Sequence, residues 1–121
     1  MKTLTEVRLA ELLKYSEVDI CDFKEQIYDI TDQKSKTSFL KDILAMSNTI
    51  RYEPAYIIIG IKQKDGHNEF IDVDPNIDEN NYVSFIKGNI LPECPDISYY
   101  TMTYKRHRIG IFGYLKLAYL N

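Results

Sequence analysis

The sequence predicts an α+β domain, a mixed or antiparallel β-sheet packed against two to three helices, and three observations carry that prediction. Phe39, Leu40, Ile43, Leu44 and Ser47 recur at helical spacing and form one stripe. After Pro54, which a helix would not tolerate, Tyr56-Ile57-Ile58-Ile59-Gly60-Ile61 is a continuous apolar run with the length of a central strand covered on both faces. Two β-rich stretches follow over residues 97–104 and 109–117. With 121 residues and 45% hydrophobic content, the chain can build one core without metal or disulfide support, so a single domain over residues 1–121 is expected.

Each element has its own local reason. Over residues 4–15, Leu4, Val7, Ala10 and Leu13 lie at helical spacing, with Thr3 and Glu6 set as a capping box; the helix is expected to end near Ser16. Residues 18–24 are β-branched and aromatic and read as a strand, with Asp22 and Lys24 on one face and Cys21 and Phe23 on the other. The polar residues 28–37 read as a loop whose end, Ser35 or Thr37, caps the helix bearing the Phe39 stripe. Lys41 and Asp42 fall off that stripe and are expected to face water, and Asn48 suits a left-handed helix end.

Asp65-Gly66 is a hairpin signal that would return residues 69–73 against the central strand. Tyr82, Val83, Ile86 and Ile90 give a third helical stripe over residues 78–90, capped by Asp78 or Asn76 and ended by Leu91-Pro92. The last two strands are joined by the basic corner Lys105-Arg106-His107-Arg108, most simply as a meander. No internal repeat or low-complexity tract interrupts the chain.

Composition excludes several function classes. Cys21 and Cys94 have no ligand or partner spacing and are expected as reduced thiols, hence a cytoplasmic location. Glu6 arrives too early for a signal peptide, and no apolar run reaches membrane-spanning length, so no membrane partner is expected. No glycine is followed by Lys and Ser or Thr, which argues against a nucleotide-hydrolysing phosphate loop. There is no Gly-x-Ser-x-Gly elbow, neither cysteine has a local base, and neither His67 nor His107 has a companion at metal-ligand spacing. A net charge of −3 offers no global attraction to phosphate, so nucleic-acid contact requires a local basic surface. The run Lys105-Arg106-His107-Arg108, with Tyr99, Tyr100 and Tyr104 just before it, combines phosphate-binding cations with stacking rings. Lys24 either pairs with Asp22 or reaches a phosphate, the ion pair being preferred.

Three strings, Glu17-Val18-Asp19-Ile20-Cys21-Asp22-Phe23-Lys24, Lys41-Asp42-Ile43-Leu44-Ala45-Met46-Ser47-Asn48-Thr49 and Tyr56-Ile57-Ile58-Ile59-Gly60-Ile61, occur in an order that resembles the Alba-type domain of Schlafen proteins and of many bacterial regulators. The resemblance spans residues 17–117, nearly the whole chain after the first helix. It departs from the family in three places. Ile50-Arg51-Tyr52-Glu53-Pro54-Ala55 stands where a Gly-Gly pair is usual, Asp22 stands for a glutamate, and Gln63 occupies the position nearest a third acidic residue, with Asp65 following two residues later.

The resemblance implies a DNA- or RNA-binding domain, the N-terminal part of a larger regulator or defence protein, and the basic, tyrosine-bearing surface read from the residues then supplies Lys24, Tyr104, Lys105, Arg106 and Arg108 as its expected nucleic-acid contacts. It also implies an alternative, a metal-dependent nuclease in which Glu17, Asp22 and Asp65 are catalytic and Glu17 and Asp22 hold Mg²⁺ or Mn²⁺, a charge that polarises a phosphodiester and activates water. A third expectation is a homodimer formed through a free edge of the apolar C-terminal strand.

Overall fold

The computed structural model describes residues 3–14, 21–47, 54–89 and 97–114. Along them run α1 (Glu6–Lys14), β1 (Cys21–Lys24), α2 (Gln33–Ser47), β2 (Ala55–Ile59), β3 (Ile61–Lys64), β4 (His67–Phe70), α3 (Glu79–Asn89), β5 (Ile97–Tyr104) and β6 (His107–Tyr114). The main sheet has the order β1-β2-β6-β5; β1 and β2 are parallel and the other pairs antiparallel, so the sheet is mixed.

Every residue of β2 is buried, as its unbroken apolar run requires of a strand with helices on both sides. Strand alternation divides the core in two. Ile57 and Ile59, with Tyr99, Phe112 and Tyr114, pack against Phe39, Ile43 and Met46 of α2 and Tyr82 and Ile86 of α3. Tyr56 and Ile58, with Cys21, Phe23, Ile109 and Ile111, pack against Leu9 and Leu12 of α1. The stripe of α2 thus covers β2, as predicted.

Several local expectations are corrected. Thr5, not Thr3, caps α1: its Oγ1 accepts the Arg8 N–H at 3.1 Å and its carbonyl accepts the Leu9 N–H at 2.9 Å. The helix starts two residues later than predicted and buries Leu9 and Leu12 rather than the predicted stripe, of which Val7 is 74% exposed. Asp32 caps α2, its carboxylate accepting the Ser35 N–H at 2.9 Å, so residues 33–37 are helix rather than loop. The stripe of α2 runs through Phe39, Ile43 and Met46, leaving Leu44 42% exposed. By contrast Asp78, one of the two predicted caps of α3, does cap it, accepting the Asn80 N–H at 2.9 Å.

The predicted central run is divided at Gly60, whose φ of 100° turns the chain out of the sheet. Strand β3 therefore pairs with β4 in a separate two-stranded sheet, and the hairpin does not extend β2. The Gly60 N–H donates to the Lys24 carbonyl at 2.8 Å, and the Gly60 carbonyl accepts from Ile71 at 2.7 Å, so the bend is hydrogen-bonded on both sides. Among the described residues β6 lies between β2 and β5, and its residues 110–114 pair with β2 on the side that the dimer expectation left open. Ser16, Asn48, Ile90, Leu91, Pro92, Cys94 and residues 115–117 lie outside the described residues.

Four core tyrosines make the fold sensitive to alkali. Burial raises the phenol pKa of Tyr28, Tyr82, Tyr99 and Tyr100, that of Tyr99 to about 12. A folded-state pKa above the unfolded value of 10 means that the folded chain keeps protons the unfolded chain has released. The resulting stability is complete below pH 10 and is lost as the pH climbs through the folded pKa. The urea midpoint is expected to fall steeply from pH 10 to 12, and Tyr99→Phe should lessen the fall; a midpoint level across that interval would contradict the assignment.

Candidate nucleic-acid interface

Two groups of candidate side chains lie on different parts of the fold. The first is acidic and sits on β1 and α2. Alternation along β1 puts Asp22 and Lys24 on the α2 side, beside Ile57 and Ile59. Lys24 Nζ stands 3.4 Å from Asp22 Oδ2 and 3.4 Å from Asp42 Oδ2. Tyr28 donates its hydroxyl to the same Asp42 oxygen at 2.6 Å. Burial alone would lower the Lys24 pKa, but the two carboxylates outweigh it and the pKa is raised, so Lys24 is a committed cation shared between two anions. Asp42, expected to face water, is instead the hub of this cluster, because the edge of α2 brings it over β1.

Asp65 is not part of that cluster. It forms the tip of the β3–β4 hairpin with Gly66, the two at φ 49° and 79°, beyond the Gly60 bend. Glu17 lies outside the described residues. Among the described residues no three His, Cys, Asp or Glu side chains converge as metal ligands. Asp22 and Asp42 do not fit Mg²⁺ or Mn²⁺ by themselves, since the Lys24 ammonium already bridges their oxygens.

The second group is basic. The β5–β6 turn consists of Lys105 and Arg106, both exposed and both left-handed, with φ of 48° and 68°. Two consecutive positive φ values are those of the tight hairpin turn that favours Asn-Gly, so two long cations stand where backbone strain of about 1 kcal/mol or more each must be sustained. Arg108 is exposed on β6 beside them. Among the described residues none of these three forms an ion pair with a carboxylate, in contrast to Lys24. His107 stacks on Phe70 at 4.8 Å and 11°, with Nδ1 2.9 Å from Asp72 Oδ1.

The three tyrosines preceding the turn do not form one stacking surface. Tyr99 is buried on the α2 and α3 side of the sheet. Tyr100 packs on the α1 side and accepts the Leu4 N–H at 2.7 Å. Tyr104 is buried beneath the turn, with Lys105 Nζ 5.5 Å above its ring and Phe70 6.0 Å away.

Beside the turn a groove of about 560 Å³ opens between the end of α1, the β3–β4 hairpin and β5. Lys14, His67, Asn68, Phe70, Tyr104 and Lys105 line it, and among the described residues no acidic side chain does. Four of these, Lys14, His67, Asn68 and Phe70, carried no signal in the sequence, because they come from separate elements that meet only once Gly60 has turned the hairpin. No helix among the described residues is long and apolar enough to cross a membrane.

No curated protein and no solved structure matches the chain. Over residues 17–115, however, it matches the family model described as Schlafen, AlbA_2, which spans the acidic cluster, the Gly60 bend and the basic turn alike. The resemblance carried by the three sequence strings therefore holds, and the chain belongs to the Schlafen AlbA_2 family of nucleic-acid-related domains.

Proposed function

We propose that this is a DNA- or RNA-binding domain of a bacterial regulator or defence protein, and that the β5–β6 turn is its contact with the phosphate backbone. The observation that carries this reading is the pair Lys105-Arg106 held in left-handed backbone at the apex of the hairpin, with Arg108 adjacent. Residues less strained in that conformation would make the turn more stable, and the two cations that stand there instead put positive charge at its exposed apex, which supports a phosphate contact. The local charge acts against a net −3, and phosphate binding by it releases counterions. Lys24, expected as a further contact, belongs with the acidic cluster and contributes only if phosphate displaces a carboxylate.

Changing Lys105→Asn together with Arg106→Gly tests this without disturbing the fold, because the new pair is the one the turn prefers. Stability is expected to rise by about 1 kcal/mol. Anisotropy titrations with labelled single- and double-stranded DNA and RNA should show wild-type affinity falling with salt, and the double variant should reduce the log–log slope by about 2. Undetectable wild-type binding at low salt, or an unchanged slope in the variant, would reject the reading.

A further inference from the structure

We infer that the groove beside the basic turn receives one unstacked nucleotide, so that the domain selects single-stranded over duplex nucleic acid; this rests on the proposed binding function and specifies its ligand. Three features of the groove argue for that occupant. Its volume of about 560 Å³ lies within the range of small-ligand clefts and exceeds what a bare phosphate needs. Its lining divides as a nucleotide does. Lys14 at the end of α1, Lys105 at the turn and His67 on β4 supply positive or protonatable groups from three elements. Phe70, half-buried and stacked by one face on His107, supplies the apolar ring surface together with what the buried Tyr104 leaves open, and Asn68 offers an amide that both donates and accepts, as the edge of a base requires. Glu69 lies 3.7 Å from His67, so the lasting charge in the groove is that of Lys14 and Lys105.

Geometry then separates the two forms of nucleic acid. The phosphates of a duplex can reach Lys105 and Arg106, which project from the hairpin apex. Its bases cannot reach Phe70, because their faces are covered by their neighbours in the stack. A single strand meets the same exposed cations and places a splayed base in the groove, gaining a contact that a duplex lacks. The β5–β6 turn is thus the shared contact and the groove the discriminating one.

The test uses the full chain and three fluorescein-labelled probes, twelve-nucleotide oligo(U), twelve-nucleotide oligo(dT) and a twelve-base-pair mixed-sequence DNA duplex, at one low salt concentration. Wild type is expected to bind the single strands about ten-fold more tightly than the duplex. Lys14→Gln with Asn68→Ala should remove about ten-fold from single-strand affinity and less than about two-fold from duplex affinity. Lys14→Gln alone, an exposed substitution at a helix end, should give a smaller loss in the same direction and guards against a folding defect in the double variant. Lys105→Asn with Arg106→Gly should weaken all three probes. Equal affinity of wild type for strand and duplex, or equal losses on both in the groove variants, overturns the groove assignment while leaving the binding function standing. Absence of wild-type binding to every probe removes both.

Discussion

Replacing Gly60 by alanine is expected to destabilise the domain by about 3 kcal/mol or more, a large part of the roughly 5–15 kcal/mol that holds a domain of this size together. Two independent effects add. A Cβ at this position would lie 2.6 Å from the Ile71 carbonyl oxygen and 3.3 Å from Val73 Cγ1, and the first of these is backbone that cannot rotate aside. The φ of 100° is also one that side-chain-bearing residues rarely adopt. Gly66→Ala separates the two effects, because its φ is 79° but nothing lies within 4 Å of the added Cβ, and about 1 kcal/mol is expected there. Urea denaturation at 25 °C reads both. A loss at Gly60 no greater than that at Gly66 would mean that the bend is not locked as described. Because the bend also brings β4 to the end of α1, the folded fraction of Gly60→Ala should bind single strands less well than wild type.

Phe39→Ala is expected to cost about 3–5 kcal/mol. Phe39 has no exposed surface and sits at the centre of an aromatic cluster: its ring centroid lies 4.4 Å from that of Tyr28, 5.1 Å from Phe112, 5.9 Å from Tyr82 and 6.0 Å from Phe85. These rings come from α2, α3, β6 and the segment after β1, so one truncation leaves a cavity shared by four parts of the chain. Phe39→Leu restores much of the volume without the ring, and its smaller loss measures how much the aromatic geometry itself contributes. Thermal and urea unfolding of both variants checks this. A Phe39→Ala loss below about 1.5 kcal/mol would show that the helix does not lean on the sheet through this residue.

The elements readable in the sequence were those whose signal is local. The Ile57-Ile58-Ile59 run read as a buried central strand because it is covered on both faces, and residues 97–104 read as a strand that the structure reproduces to the residue. The start of α2 was hidden because its first turn, Gln33-Lys34-Ser35-Lys36, carries no apolar side chain and looks like any polar loop. The division of the central run was hidden because a glycine in a strand does not announce the sign of its φ. The same limit governs the site. The basic turn was visible as a run of neighbours, whereas Asp42 meets Lys24 and Tyr28 from another segment, and the groove joins Lys14 to His67 and Lys105 across most of the chain. Only the helical rotation of α2 and the bend at Gly60 bring such groups together.

The position of β6 governs the order in which this molecule can assemble. Ile57 of β2 finds Phe112 as its neighbour, and β5 touches the rest of the main sheet only through β6. A chain emerging from the ribosome therefore displays the greasy flank of β2 before β6 has been made, and the two sides of the sheet have no seam until that later strand slots in as a keystone. A nascent chain ending short of that strand would be a natural client for chaperones, since what it lacks is the piece that joins everything made before it.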